Sequence, residues 1–275
     1  PFEYLTKAGR PVDLGEGNVV AEAKLSMPLI GKIMPGDVTF DTVATVTDFR
    51  SAKLVKNKTV AAPSLQVHAT PKGMTIAGPG QVGAVPFDMT YAQAFGPDAG
   101  PPMIDGTVTL GPVALKEFSI GLPKGSVTGE GPGRVHLVLA KGKSVELDLT
   151  SDLAGLTLSL PEIAWKKPPA TRGKLVTHVV LDAVPRITSV SLDAAGLSAQ
   201  GAISLKPDLG LDVAHLPQVK IATWFQGAVD ILGRGGNKAV GINVLSGKFD
   251  LRHFPEDRGS GDSSADGGPL NASLD

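Results

Sequence analysis

The sequence contains no cysteine and little charge. The absence of Cys from its 275 residues excludes thiolate catalysis, a disulfide framework and a zinc site built on Cys ligands. The 26 Lys and Arg residues nearly balance the 27 Asp and Glu residues, so no basic excess favours a nucleic acid or an anionic membrane. Charged residues make up 19% of the chain, against roughly 25% in an average globular domain. The remaining signal lies in the apolar residues, which make up 42%.

Long apolar runs and aromatic residues are also scarce. No uncharged apolar run approaches the ~18 residues of a membrane helix, and the longest charge-free stretch, Gly73 to Phe87, is interrupted by Gly and Pro. The sequence begins at Pro1 without a signal peptide, which favours either a cytosolic protein or a piece of a longer one. Residues 256–275 are rich in Gly, Ser and Asp and are predicted to be a flexible linker or tail.

Apolar and polar residues alternate with a period of two, which predicts strands with one apolar face. In residues 134–149, Gly142 lies at the centre of a Lys-Gly-Lys turn, so the flanking segments are predicted to form a hairpin. We predict an all-β chain with very little helix, in which residues 1–255 form a single elongated segment. The predicted apolar face consists of Val38, Phe40, Val46, Val135, Leu137, Leu139, Val145, Leu147, Leu149, Leu156, Leu158, Leu160, Leu197, Ile203 and Leu205.

A loose repeat supports a meander of hairpins. Residues 64–78 and 117–131 both place Pro-Lys-Gly between two short strand-like segments, and residues 189–201 have the same outline without the proline. Pro at the second turn position and Gly at the fourth suit a type I turn. We therefore expect three hairpins at these positions.

The usual signatures of catalysis and cofactor binding are missing. The segment GPGQVG, residues 78–83, matches a dinucleotide fingerprint only by letter, because Val85 begins a predicted strand where a helix would be required. The five histidines are scattered singly, without the spacing of a metal site. No serine-nucleophile motif occurs. We predict no enzyme activity, no metal and no cofactor.

One basic segment next to an aromatic residue has two interpretations. In the first, residues 160–175 form a strand end and a crossover, with the lysines pointing to water and the tryptophan packed against a rim or a neighbouring strand. In the second, the segment contacts a lipid headgroup at the mouth of a groove. The residues concerned are Trp165, Lys166, Lys167, Arg172 and Lys174.

Several motifs resemble the AsmA-like proteins of Gram-negative envelopes, most closely the YhdP-type branch, which is related to TamB. An Asp-Leu segment leads to Leu-Pro-x-x-x-Trp-x-Lys-Pro, then to a hairpin centred on Gly-Leu-x-Ala-x-Gly, and finally to Gly-x-x-Asp-Leu-Arg. The resemblance covers roughly residues 20–255. The matching segments are 25–49, 83–96, 151–168, 172–175, 196–201 and 247–252.

The resemblance implies a strongly curved antiparallel sheet, a taco-like groove with an apolar inner face. It also implies a periplasmic protein anchored in the inner membrane, which binds or conducts phospholipid between the two membranes and supports the outer membrane. The membrane helix expected of the family is absent from this sequence, which fits a fragment. Self-association through exposed strand edges is a further possibility.

A closed β-sandwich is the alternative interpretation. Alternating strands also build ordinary two-layer cores. Such a protein would be a carbohydrate-binding, adhesive or structural module, with an exposed aromatic platform or paired carboxylates instead of an open apolar face.

Overall fold

A computed structural model describes residues 14–29, 31, 34, 37–122, 125–235, 240–250 and 252. Of these described residues, 66% lie in strands and 4% in helices, which confirms the prediction of an all-β chain with very little helix. The predicted tail, residues 256–275, lies outside the described residues.

One large antiparallel sheet contains fourteen of the strands. It is open, with β1 and β17 as its edges, and its order follows the sequence except where three strands leave it. The strands of the large sheet are β1 (Glu16–Ser26), β2 (Thr39–Val55), β3 (Lys58–Thr70), β4 (Gly73–Val82), β5 (Val85–Ala94), β6 (Met103–Leu110), β8 (Gly131–Val138), β9 (Val145–Ser151), β12 (Gly173–Leu181), β13 (Arg186–Ala194), β14 (Leu197–Leu205), β15 (Leu211–Ile221), β16 (Phe225–Leu232) and β17 (Gly241–Phe249).

A second, three-stranded sheet has the order β11-β10-β7. Its strands are short and come from two separate stretches of the chain, with β10 in the centre. The remaining elements are β7 (Val127–Gly129), β10 (Leu156–Leu160), β11 (Trp165–Lys167), the short helix α1 (Pro112–Glu117) and the 3-10 helix η1 (Pro161–Ile163).

Tight turns connect most neighbouring strands. The β13–β14 turn consists of Ala195 and Gly196, which both have a positive φ, 48° and 80°. This geometry matches the right-handed twist of the flanking strands. At the β2–β3 turn, Asn57 takes the left-handed conformation with φ 59°, which Asn tolerates better than most residues. The predicted Gly142 turn is also present, because Lys143 N–H donates to the Ala140 carbonyl at 3.2 Å.

Two of the three predicted hairpins are confirmed. Residues 64–78 lie in β3 and β4, and residues 189–201 lie in β13 and β14. The prediction for residues 117–131 is wrong, because Glu117 ends α1 and no described residue of 118–122 belongs to a strand. Pro112 at the start of α1 suits the first turn of a helix, where its missing N–H has no intrahelical partner.

The chain divides into two compact units, whereas a single segment was predicted for residues 1–255. Unit 1 comprises Pro1–Thr109 and Arg134–Val145, and unit 2 comprises Leu110–Gly133 and Glu146–Asp275. All three strands of the second sheet belong to unit 2.

Unit 2 has a closed hydrophobic core. The inward residues of the second sheet, such as Leu156 and Trp165, pack with residues of β13 to β16 in one buried cluster. Leu156 is 3% exposed and Leu197 is 5% exposed. The other buried members of the cluster are Leu153, Ala194, Ala214, Leu216, Val219, Ile221, Trp224, Phe225 and Val229.

Candidate functional site

Unit 1 presents a continuous row of apolar side chains across six neighbouring strands. Residues directly opposite each other in adjacent strands share one face of the sheet, and the register connects the row without a gap. Together with its apolar neighbours on the same strands, we call this surface the open apolar face. The row consists of Ala21, Ala44, Val67, Ile76, Tyr91 and Ile104, and its neighbours are Val19, Leu25, Phe40, Val46, Leu65, Phe87, Met89 and Val108.

The open apolar face is not covered by a second sheet within the described part of unit 1. Ala44 is buried, but Val67, Ile76 and most other members are only half-buried, and Val19 is 61% exposed. Because the hydrophobic free energy is roughly proportional to the apolar area buried, each half-buried aliphatic side chain leaves roughly 1 kcal/mol of stabilisation unused. Within unit 1, part of this apolar surface is therefore exposed to solvent.

Tyr91 and Gln93 of β5 bring polar groups to this face. The Tyr91 hydroxyl donates a hydrogen bond to Gln93 Oε1 at 2.8 Å, so the polar atom is satisfied within the same strand. Burial raises the pKa of the Tyr91 hydroxyl. The hydroxyl therefore stays neutral at physiological pH, and the centre of the face carries no charge.

The opposite face of the same strands is polar. In β3, Val67 lies on the open apolar face, whereas Gln66 and His68 point the other way and are exposed. Gln66 Oε1 accepts a hydrogen bond from the Thr45 hydroxyl at 3.1 Å. The sheet of unit 1 is thus apolar on one side and hydrophilic on the other, as the alternation in the sequence predicts.

Every described histidine pairs with an aspartate of a neighbouring strand. Spacing in the sequence does not reveal these pairs, because they depend on which residues of neighbouring strands lie side by side. The spacing in the sequence ranges from 15 residues, for His215 and Asp230, to 31, for His136 and Asp105. No third ligand joins any of them, and no group of three metal-ligating side chains occurs among the described residues. The pairs are His68–Asp41 at 2.9 Å, His136–Asp105 at 2.7 Å, His178–Asp148 at 2.7 Å and His215–Asp230 at 2.6 Å.

The predicted lining residues separate into two environments. Phe40 and Val46 belong to the open apolar face. Leu156, Leu158 and Leu160 instead lie in the second sheet and contribute to the closed core of unit 2. The reason is that residues 156–160 leave the large sheet. Of the others, unit 1 holds Val38, Val135, Leu137, Leu139 and Val145, and unit 2 holds Leu147, Leu149, Leu197, Ile203 and Leu205.

The basic segment does not form a cluster. Trp165 is buried, and its indole Nε1–H donates to the Ala195 carbonyl at 3.0 Å. This contact fits the interpretation in which the tryptophan packs against a neighbouring strand. Arg172 is exposed and lies 3.6 Å from the Asp152 carboxylate, while Lys174 lies opposite Asp193.

The prediction that Lys167 points to water is wrong. Alternation in β11 places Trp165 and Lys167 on the inner side of the second sheet and Lys166 on the outer side. Lys167 is 0% exposed. Its Nζ donates to the carbonyls of Leu153 at 2.6 Å, Leu156 at 2.8 Å and Pro168 at 3.1 Å.

The three carbonyls use all three ammonium protons of Lys167, which is why a fully buried lysine is tolerated. Burial lowers the pKa of Lys167, and the negative charge of Asp152 acts in the opposite direction. Lys167 is therefore a structural element of unit 2 and is not available as a contact for a headgroup.

No helix among the described residues is long and apolar enough to cross a membrane. No protein-family model, curated protein or solved structure matches the chain. The AsmA-like assignment stays a prediction from the sequence motifs.

Proposed function

We propose that this chain is a periplasmic segment of an AsmA-like protein that binds or conducts phospholipid acyl chains. The parent protein would be anchored to the inner membrane, and the segment would carry lipid along an apolar groove between the two membranes, supporting outer-membrane integrity. The observation that supports this proposal is the open apolar face of unit 1, an uninterrupted row from Ala21 to Ile104.

The length of the row suits an acyl chain. Six neighbouring strands are separated by five spacings of 4.7–4.9 Å, so the row extends for about 24 Å. The hydrocarbon core of a bilayer is about 30 Å thick, so an acyl chain in one leaflet covers roughly 15 Å. A whole acyl chain therefore fits along the row in unit 1.

The energetics also favour this ligand. Exposure of an acyl chain to water costs about 0.8 kcal/mol per methylene, or roughly 11 kcal/mol for fourteen methylenes. An aliphatic surface removes much of this cost without specific polar contacts. The lack of charge at the centre of the open apolar face is what such a ligand requires, because any buried charge would have to lose its hydration.

The test compares two substitutions on neighbouring residues of β3. Val67→Asp places a carboxylate in the centre of the open apolar face, and Gln66→Asp places the same group on the polar face. Each variant would be purified gently from a bacterial host, and its organic extract analysed by mass spectrometry against a mock purification. We expect near-stoichiometric phospholipid in the wild type and Gln66→Asp, and at least fivefold less in Val67→Asp.

Folding must be verified before the lipid load is interpreted. Circular dichroism reports the sheet of the whole chain, and a milder variant, Val67→Asn, keeps the test meaningful if Val67→Asp does not fold. A wild-type protein without bound lipid would contradict the proposal. So would an unchanged lipid load in a folded Val67→Asp protein.

The closed-sandwich alternative, a carbohydrate-binding or adhesive module, is supported only by the two-layer core of unit 2. The two tryptophans do not form an aromatic sugar platform, because Trp165 and Trp224 are only 8% and 7% exposed. A glycan-array screen that yields a reproducible ligand would favour this alternative over lipid binding.

A further inference from the structure

Two lysines flank a glutamine at the end of three neighbouring strands in unit 2. Lys220 of β15 lies opposite Gln226 of β16, and Gln226 lies opposite Lys248 of β17. The three side chains therefore share one face of the sheet, on the side away from the hydrophobic core. The two lysine Cα atoms are separated by two strand spacings, about 10 Å, and each carries a flexible four-carbon stem.

The positive charge of these lysines is not neutralised within the described residues. The row of which they are part continues through Ser198 to Asp193, and Asp193 lies opposite Lys174. Lys174 thus has a carboxylate directly across from it. Neither Lys220 nor Lys248 forms an ion pair with any residue that the structure describes.

One carboxylate, that of Asp250, lies beside these lysines and is already engaged. Asp250 follows β17, and its two oxygens accept hydrogen bonds from Arg252 Nη2 at 2.7 Å and Nε at 2.9 Å. The charge of Asp250 is thereby offset by a guanidinium. The two lysines therefore give this end of the sheet an excess positive charge, although the chain as a whole is nearly neutral.

A cavity of about 330 Å³ lies at this position, and Lys220, Gln226 and Lys248 line it. Its lining also includes the carboxylate residue Asp250, which is paired with Arg252, and Phe225 and Phe249, whose ring centroids are 4.8 Å apart. Phe249 is 48% exposed. By the strand register, the rings of Phe225 and Phe249 lie on the core side of the sheet. The donors that face the depression are therefore the two lysines and the glutamine, an arrangement suited to an anionic group.

We propose that this depression is a phosphate-binding site. Lys220 and Lys248 would contact the phosphate oxygens as charge-assisted donors, and the Gln226 amide would donate between them. The assignment of the phosphate to a phospholipid headgroup rests on the proposed function. Inorganic phosphate is the other source with the same chemistry.

The experiment compares two double variants of the full chain. Lys220→Gln with Lys248→Gln removes both charges of the site, and Lys141→Gln with Lys143→Gln removes two exposed charges from the turn before β9. Binding to vesicles of phosphatidylglycerol and phosphatidylcholine would be measured by co-sedimentation, and binding of inorganic phosphate by calorimetry. We expect the first double variant to bind both probes at least fivefold more weakly, and the second to change less than twofold.

The two probes identify the source of the phosphate. Competition between inorganic phosphate and vesicles for the wild type would support a headgroup site. Binding of inorganic phosphate without vesicle binding would support the phosphate site and overturn its assignment to a lipid. Equal losses in both double variants would reveal unspecific charge attraction and overturn the proposal, as would wild-type binding in the Lys220 and Lys248 variant.

Failure of the phosphate site can be distinguished from failure of the proposed lipid-binding function. If the co-purified lipid depends on Val67 while the Lys220 and Lys248 variant behaves as the wild type, the phosphate site is wrong and the lipid surface remains. If the wild type carries no lipid but loses phosphate binding on substitution of the two lysines, the lipid function is wrong and the phosphate site remains.

Discussion

Units 1 and 2 contain the same kind of strand but differ in what lies over its apolar side. In unit 2, the second sheet covers part of that side, and Leu156 and Trp165 are almost completely buried there. In unit 1, Val67 and Ile76 occupy equivalent positions in the alternation but stay half-buried. The alternation determines which side chains share a face. It does not determine whether another part of the chain covers them.

Truncation of one leucine in each unit tests this difference directly. Leu156→Ala should reduce the free energy of unfolding by about 2–5 kcal/mol, because it removes a fully packed side chain and leaves a cavity. Leu65→Ala, the same change on the open apolar face, should cost only roughly 1 kcal/mol. Urea unfolding followed by circular dichroism measures both.

Tryptophan fluorescence adds a separate signal, since both tryptophans, Trp165 and Trp224, belong to unit 2. For Leu156→Ala, the urea concentration at the midpoint of unfolding should fall both in tryptophan fluorescence and in circular dichroism. Equal losses of stability for Leu65→Ala and Leu156→Ala would show that the apolar face of unit 1 is as well packed as the core of unit 2.

A smaller effect concerns the buried ammonium under the second sheet. Lys167→Met preserves much of the side-chain volume but removes the donor to the carbonyls of Leu153, Leu156 and Pro168. Unsatisfied buried acceptors should lower the free energy of unfolding by about 2–3 kcal/mol. Lys166→Met, on the exposed side of the same strand, is the matched control and should change it by less than about 0.5 kcal/mol.

The same denaturation experiment measures the Lys167 and Lys166 variants, with fluorescence of Trp165 as a local probe. A Lys167→Met protein as stable as the wild type would mean that the three carbonyls find water or other donors, and that the second sheet does not depend on the ammonium group.

The smallest effect concerns the two edge strands, one in each unit. Val20 in β1 is 78% exposed and Val244 in β17 is 46% exposed. Val20→Lys and Val244→Lys should each change stability by less than about 0.5 kcal/mol. If the edges pair between copies, each substitution should also reduce association at high protein concentration, because lysine on an edge strand opposes further pairing.

Sedimentation velocity over a hundredfold range of protein concentration measures this association. Only one of the two substitutions should have an effect if a single edge is responsible. An unchanged concentration dependence in both variants would exclude pairing through these positions.

The hairpin meander was predictable because its signals are local. The Pro71-Lys72 turn and the Ala195-Gly196 turn lie between segments with clear alternation, so strand existence and face could be assigned from the sequence. Phe40 and Val46 lie on the same face of β2, as the alternation predicts. Helix α1 was missed because six residues are too few for a helical period to be visible.

The second sheet was not predictable from the same signals. Strands β7 and β11 have three residues each and pair with β10 from separate positions in the chain. One hint was available. If Trp165 is assigned to the core-facing side of a strand, the period of two places Lys167 on the same side. The buried ammonium went unrecognised because a lysine is rarely buried without a partner, and its partners are carbonyls that leave no trace in the sequence.

The open order of the large sheet has a consequence for how such a protein can change in size. Its strand number is not fixed by any closure condition, so a duplicated hairpin can be inserted without altering the pairing of the strands already present. Each insertion adds two strand spacings, roughly 10 Å. Every increment of length also brings its own stripe of aliphatic side chains, so the area of the apolar face grows with the number of strands.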